Sequence, residues 1–467
     1  MSSQSTTVDP YDGEDTERFQ RALRCGEVPI AVYGLGKVGL PLAAVYAERT
    51  GNVIGVDIDS DVIEGVNEGE PPFDHEPGLP ELLADCVRSE SLLGTTDGAA
   101  AATDARIHVV IVPVPLAEAD APGDVETATA DLSALRAAAR DIGAGIDPGD
   151  LVLVESTVPP GTCRTVVTEI LEAESSLDRS EFGVAFSPER VSSGRAIQDI
   201  RGAHPRVVGG IDEGSTGAAA ATYRTLVDAP VFEVTDAKTA ETVKLFEGVY
   251  RDVNIALANE LGQAAGALGV DVLETIDAAN TQPFSDIHQP GAGVGGHCIP
   301  YYPYFLLSAM GRDSGVIRTA RAVNEATPSF VVQRAVDLLD DEGIPIDEAT
   351  VAVLGLAYRP GIPETSASPA GPIIDGLRNR GAGVFAVDPV VESAVDFGVP
   401  LVQLSELGDR NPDAVVLVTA HDEFDGIDWT VLEDVVVVDG RDALGDPPHP
   451  TYTVGRGFVG TGAGESR

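Results

Sequence analysis

The sequence predicts an α/β protein built from two doubly wound domains joined by a long helical central segment. Three observations carry this. An apolar strand runs through a glycine-rich turn into a helix and out to a strand that ends in an acid, between Ile30 and Asp57. The same strand, turn, helix, strand and acid return between Thr350 and Asp388. Between them, from Lys238 to Ala279, lies a long Ala/Leu-rich stretch with helical spacing. Strands alternating with helices are the mark of a mostly parallel sheet covered on both faces.

Residues 1–27 are polar and acidic and read as a flexible tail. They have no basic start and no apolar stretch of the kind that directs secretion, so the expected location is the cytoplasm. The first strand, Ile30–Tyr33, leads into Gly34-x-Gly36-x-x-Gly39. Gly34 permits a tight turn, Gly36 lets the backbone approach a pyrophosphate, and Gly39 lets the helix pack on the strand. The N–H groups opening that helix, with its dipole, suit an anion. The turn residues Gly34, Leu35, Gly36, Lys37, Val38 and Gly39 are therefore candidates to hold a dinucleotide in a Rossmann-like fold. Asp57 stands where an acid accepts the adenosine ribose hydroxyls, which favours NAD over NADP.

Further strands are expected at Ile107–Val112, Leu151–Glu155, Gly183–Phe186 and Val207–Gly209. In "ESTVPPGT", Ser156 and Thr157 follow a strand's C-terminal end, where ligands bind such sheets. "FSPER" places Glu189 and Arg190 similarly. In the helical stretch, with a break expected near Gly269, Lys244, Gly248, Arg251 and Asn254 share one face by their spacing. Lys244 stands out because Lys37, Lys238 and Lys244 are the chain's only lysines. The run "GAGVGGHCIPYYPYFL" then sets His297 and Cys298 in a bare loop of four glycines. A helix follows through "IRTARAVNEATPSFVVQRAVDLL", then the second Rossmann-like unit, whose turn "GLAYRP" lacks GxGxxG. Its later strands are "DAVVLVTAH" and "VVVVDG", and "GTGAGESR" is expected to be loose.

The 467 residues, 43% hydrophobic, are enough for two or three ordinary cores. No apolar run reaches membrane-spanning length, so no membrane partner is expected. The formal net charge of -45 repels phosphate backbones and argues against nucleic acid. Acids spread through folded segments are tolerable where concentrated salt shortens the Debye length, which points to a salt-loving, archaeal source. Cys25, Cys86, Cys163 and Cys298 show no CxxC spacing, so no metal site is expected and the thiols are expected free.

The ordered series GLGKVGLP, GVDID, EPGL (76–79), ESTVPPG, SPERV, KLFEGVYRDVNIALANEL, GGHCIP and GLAYRP resembles the nucleotide-sugar dehydrogenases, the UDP-glucose/GDP-mannose dehydrogenase family, from about residue 28 to 445. The resemblance implies an NAD-binding domain over 28–235, a helical central dimerisation domain with the cysteine loop over 236–327, and a UDP-sugar-binding domain over 328–467. It implies a homodimer or higher homo-oligomer that oxidises the sugar C6 alcohol to a carboxylate. Cys298 then serves as the thiolate that adds to the aldehyde, because an aldehyde cannot lose a second hydride until a nucleophile has added. Lys244 is implied to handle the C6 oxygen, as donor to an alkoxide or as proton relay, and Thr157 and Glu189 to position a water, with Glu189 the general base for thioester hydrolysis. Val114 joins the cofactor contacts. Arg190, Val191, Arg251, Gly295, Tyr358 and Arg359 are implied to contact the UDP-sugar, and Lys244 and Asn254, on the same helical face as Arg251, are candidates to join them.

The chain departs from the family pattern at several points. Gly248 stands where Asn is usual, Tyr302 where Asp is usual, and Phe284 near the usual place of an arginine lent by the neighbouring subunit. Ser366 stands where an arginine is usual and Val114 where Thr is usual. His288 and Gln282 are candidates to replace lost contacts. SPERV together with the YRDVNIALANEL helix resembles the members that take UDP-N-acetyl-D-mannosamine, which is the expected sugar, with UDP-glucose or UDP-N-acetylglucosamine as alternatives. A catalytically idle nucleotide-sugar-binding relative and a two-electron 3-hydroxyacid dehydrogenase are the other readings; the second leaves GGHCIP unexplained.

Overall fold

The computed structural model describes residues 8–11, 15–73, 76–117, 129–310 and 314–459. The tail expected to be loose at 460–467 lies outside them. The chain divides into two compact units, Met1–Phe246 with Tyr304–Ala309, and Glu247–Pro303 with Met310–Arg467. The helical segment expected at 236–327 is thus shared between the units, and its long helix, Ala237–Gln263, runs from one into the other.

The first unit is an eight-stranded sheet. Its strands are β1 (Ile30–Tyr33), β2 (Val53–Val56), β3 (Leu92–Thr95), β4 (Ile107–Val110), β5 (Leu151–Val154), β6 (Gly183–Phe186), β7 (Arg206–Gly210) and β8 (Val231–Glu233). They lie in the order β3-β2-β1-β4-β5-β6-β7-β8, parallel except for β6 against β7. The first six follow the doubly wound dinucleotide order, whose reversal between β1 and β4 opens a crevice at the strands' carboxyl ends. Ile30 and Val32 enter one apolar cluster and Ala31 and Tyr33 another, so successive side chains of β1 feed the cores on opposite faces.

The acidic start is less loose than its composition predicts. Thr16–Arg24 is a helix, begun by the Asp15 carboxylate accepting from Arg18 N at 3.0 Å. Phe19, Ala22 and Leu23, spaced three and four apart, bury one face in the first unit's core while the acids face water. Asp9 also pairs with Arg106 at 2.6 Å. Residues 1–7 and 12–14 lie outside the described part.

The second unit carries β9 (Thr350–Leu354), β10 (Gly383–Val387), β11 (Ala414–Leu417), β12 (Val436–Asp439), β13 (Thr451–Thr453) and β14 (Gly457–Val459). Their order is β10-β9-β11-β12-β13-β14, parallel except for the last pair. β9 alternates as β1 does, Val351 and Val353 to one cluster and Ala352 and Leu354 to the other. The long helix Gly315–Asp341 covers one face and keeps Pro328 within it. The helical stretch after Gln263 breaks twice, at Ala264 and at Gly269, which is left-handed at φ +66°. Among the described residues no helix is long and apolar enough to cross a membrane.

Candidate active site

In the first unit the turn after β1 has the geometry its glycines suggest. Gly34 sits at φ +96°, and a Cβ there would meet the Ile111 carbonyl at 2.8 Å. A Cβ on Gly39 would fall 1.9 Å from the Gly34 oxygen, so only glycine lets the helix approach. Around Gly36 nothing lies within 4 Å of the Cβ position, which leaves the backbone open to a ligand. The helix Gly39–Thr50 has no side-chain cap at its start. Leu40 N donates to the Gly36 carbonyl at 3.0 Å, Leu42 N to the Val38 carbonyl at 3.2 Å and Pro41 has no N–H, so an anion there would meet the backbone of the turn ahead of them. The Asp57 carboxylate accepts from Leu35 N at 2.7 Å and Asp59 N at 3.0 Å, fixing the turn and itself together. Leu35 is buried, Lys37 exposed, and Val38 and Val114 half-buried, with Val114 packed beneath the sheet. These residues fit a dinucleotide.

Beyond β5 the chain is held by a buried acid. Glu155 accepts from Tyr46 Oη at 3.1 Å, Tyr223 Oη at 2.8 Å and Arg206 Nη1 at 3.0 Å. Ser156 Oγ donates to the Val112 carbonyl at 2.7 Å, and Thr157 follows directly. Lys244 and Glu189 are brought together. The ammonium donates to the Glu189 carbonyl oxygen and lies 3.3 Å from its carboxylate, while the other carboxylate oxygen accepts from Val191 N. The Arg190 guanidinium donates to the Pro205 carbonyl at 2.6 Å. Two further acids were not foreseen as site residues. Glu76 of EPGL accepts from Gly194 N at 2.8 Å and Ala196 N at 2.6 Å, clamping the segment after SPERV. Glu241, one turn before Lys244, accepts from Gly161 N and from Cys163 N at 2.8 Å, tying the PPGT loop to the lysine's helix. Glu76 was visible in EPGL and Glu241 in the helical stretch from Lys238, but their partners lie far away in sequence.

In the second unit the glycine loop is anchored from below. Gly291 N donates to Asn259 Oδ1 at 2.9 Å, Asn259 donates to Asn324 at 3.1 Å, and Asn324 with Arg321 binds buried Asp252 at 2.8 and 2.5 Å. Arg441 donates to the Gly293 carbonyl at 3.2 Å. Gly295 presses on Tyr358: its Cβ would meet Tyr358 Cβ at 2.8 Å. Asn254 and His288 are brought together, since Asn254 Oδ1 accepts from His288 N at 2.9 Å and its amide donates to the Asp286 carbonyl at 2.5 Å. Gln282 accepts locally from Phe284 N at 3.0 Å. Arg251 and Arg359 are exposed.

Burial separates the cysteines. Cys86 and Cys163 are buried, Cys25 and Cys298 exposed, and all four are free. Burial pushes the Cys163 thiol far up, with the Glu241 carboxylate adding to it, so Cys163 is inert. Cys298 sits at a turn, its carbonyl accepting from Tyr301 N at 3.1 Å and Tyr302 N at 3.0 Å, which leaves the side chain reachable. Among the described residues no three His, Cys, Asp or Glu side chains gather as a metal site.

Three domain models of the UDP-glucose/GDP-mannose dehydrogenase family match the chain: the NAD-binding domain at residues 28–227, the central domain at 238–326 and the UDP-binding domain at 352–446. A UDP-N-acetyl-D-mannosamine dehydrogenase of Pyrococcus horikoshii is 38% identical over 445 residues, 93% of this chain and 99% of that one. The solved structure of the UDP-D-ManNAc dehydrogenase from Pyrococcus horikoshii superposes with a TM-score of 0.83 at 37% identity, covering 92% and 100%. An NDP-N-acetyl-D-galactosaminuronic acid dehydrogenase of Ralstonia nicotianae is 36% identical over 91% of this chain and 98% of that one. A UDP-glucose dehydrogenase structure from Pyrobaculum islandicum superposes with a TM-score of 0.79 at 30% identity, covering 89% and 94%.

Proposed function

The chain belongs to the UDP-glucose/GDP-mannose dehydrogenase family and is an NAD-dependent nucleotide-sugar dehydrogenase; from that premise we propose that it oxidises the C6 alcohol of UDP-N-acetyl-D-mannosamine to the uronate. The observation that carries the residue roles is the Lys244–Glu189 pair. It sets one of the chain's three lysines, its side chain 11% exposed, against a carboxylate in the unit that holds the Gly34–Gly39 turn.

That turn and Asp57 would hold NAD, which would supply the hydride acceptor for both oxidations. Lys244 holds the C6 oxygen, donating to it as charge develops there and relaying its proton, with the Glu189 carboxylate beside it. Thr157, on the chain fixed by Glu155, positions a water near the reacting carbon. The Cys298 thiolate adds to the aldehyde, giving the thiohemiacetal from which the second hydride leaves and a thioester remains. Arg190, Val191, Arg251, Asn254, His288, Gly295, Tyr358 and Arg359 contact the UDP-sugar. The enzyme works as a cytoplasmic homodimer at high salt, supplying uronate for polysaccharide or glycan synthesis.

A panel of UDP-sugars assayed in molar KCl tests the assignment. UDP-N-acetyl-D-mannosamine should give two NADH per uronate and the highest kcat/KM. A clear preference for UDP-glucose overturns the sugar, and one NADH per product overturns the four-electron chemistry. Light scattering should give twice the chain mass.

A further inference from the structure

Thioester hydrolysis needs a base for the attacking water. Glu189, the base that the resemblance implies, has one carboxylate oxygen engaged by Val191 N and the other 3.3 Å from the Lys244 ammonium, and the two positions where the family pattern has Asn and Asp carry Gly248 and Tyr302. These two are a matched exchange. A Cβ on Gly248 would fall 2.6 Å from Tyr302 Cδ2 and 3.1 Å from its Cβ, and Tyr302 is 8% exposed. The ring fills the space that a longer residue 248 would occupy, and neither residue offers a carboxylate.

The Cys298 loop does meet a buried acid on another side. Glu364, its side chain 6% exposed, lies with Oε2 3.5 Å from His297 Nε2 and accepts from Tyr358 Oη at 3.1 Å. The Tyr358 ring stands edge-on to the His297 ring, at 89° and 6.3 Å between centroids. Gly296, at φ +95°, brings the loop so close that a Cβ would touch Tyr358 Cε2 at 3.0 Å, and its N–H donates to the Ser366 carbonyl at 2.8 Å. Burial, with Glu364 beside it, pushes the Tyr358 hydroxyl up to about 12, so it stays a donor to that carboxylate. The His297 side chain is 63% exposed, one peptide bond from Cys298.

We propose that His297, oriented by Glu364, is the base that activates water for hydrolysis of the Cys298 thioester; this rests on the four-electron reading above. Glu364 at Nε2 favours the tautomer protonated there and leaves the Nδ1 lone pair for water, the arrangement of a base held by an orienting carboxylate. Nδ1 takes a proton as the water oxygen bonds to the thioester carbon. The C–S bond then breaks, the imidazolium returns its proton to the leaving sulfur, and the uronic acid releases the other to solvent. No electrons move, so no further oxidant is needed. Glu364 and Tyr358 are positioning residues; His297 is the catalytic one.

Rapid-quench turnover of His297→Gln and Glu364→Gln with NAD+ and the UDP-sugar that the wild type oxidises best tests this. In His297→Gln, two NADH per subunit should form in a burst and steady turnover should fall about 100-fold, the lower range for losing a general base. Intact mass should show the acyl adduct on Cys298, and hydroxylamine should release it as the hydroxamate. Glu364→Gln should show the same adduct with a smaller loss. A merely structural defect would lower the burst and leave no adduct, and would overturn the proposal. Wild-type turnover in His297→Gln overturns it alone, as does an adduct that accumulates only in Glu189→Gln. A wild type that stops at one NADH overturns the four-electron reading and this proposal together.

Discussion

The molecule builds one device twice and uses it for opposite ends. After β1 and after β9 a glycine turns the chain, at φ +96° for Gly34 and +88° for Gly355. In both, the acid ending the next strand accepts from the turn: Asp57 from Leu35 N at 2.7 Å, Asp388 from Leu356 N at 2.6 Å and Ala357 N at 3.0 Å. Asp57 otherwise accepts from Asp59 N and is half-buried, with the open Gly36 backbone nearby. Asp388 is buried, accepts from Val390 N and Val391 N at 2.9 Å each, and has His421 Nε2 at 3.3 Å. The first acid keeps capacity for a ligand; the second is saturated by its own chain. A shared strand–turn–helix–strand–acid pattern therefore marks a fold and does not by itself mark a dinucleotide site.

Gly355→Ala should break the comparison hardest. A Cβ there would stand 2.4 Å from the Thr419 carbonyl, at a left-handed φ. Strain and overpacking together should cost about 4 kcal/mol. Denaturant unfolding should show the second unit lost first, and a wild-type midpoint would refute the packing described.

Asp388 gives the next effect, and it carries a pH signature. Burial alone would raise its carboxyl, but the bonds from His421 and the Ala357, Val390 and Val391 N–H groups outweigh that and hold it at about 2. A depressed acid stabilises above its unfolded value and loses that contribution as pH falls through the folded one. Stability of about 2 kcal/mol should therefore disappear between about pH 4 and pH 2. Acid titrations of unfolding should lose this limb in Asp388→Asn, which should also be less stable at neutral pH. Asp57→Asn should leave the limb in place.

How much of this was legible follows from distance along the chain. The Gly34–Gly39 turn and Asp57 could be read directly because turn and acid lie within one strand–helix–strand unit. The saturation of Asp388 could not, because His421 belongs to the loop after a strand not adjacent in sequence. Glu155 is the same case: its three donors come from the helix after β1, from β7 and from the helix after it. The helix Thr16–Arg24 was hidden by composition, since the stretch around it is polar and acidic and only the spacing of three apolar residues reveals the buried face. The matched Gly248–Tyr302 exchange showed in sequence as two separate departures, and only packing makes them one.

Asp57→Asn sharpens the comparison at the ligand. The wild-type carboxylate should repel a 2′-phosphate, so NAD+ should be preferred over NADP+ by about tenfold, the equivalent of about 1.4 kcal/mol. The substitution should erase most of that ratio of kcat/KM values. The matching substitution at Asp388 should leave the ratio unchanged in whatever protein remains folded, because its carboxylate already faces its own backbone. An altered ratio in Asp388→Asn would mean that the second acid is not closed to the cofactor.

The smallest expected effect on stability is Gly36→Ala. Its φ is outside the left-handed range and its Cβ would meet nothing within 4 Å, so neither strain nor overpacking applies. Unfolding should shift by no more than about 0.5 kcal/mol, the range of ordinary surface changes. Yet on the proposed assignment the added methyl stands where a pyrophosphate approaches the backbone, so the NAD dissociation constant should rise while the fold holds. Gly355→Ala should do the reverse, costing the fold and having no pyrophosphate to displace. Calorimetric binding beside denaturant unfolding reads both quantities on the same samples. A Gly36→Ala protein that binds NAD as the wild type does would show that the open backbone at Gly36 is not where the cofactor lies.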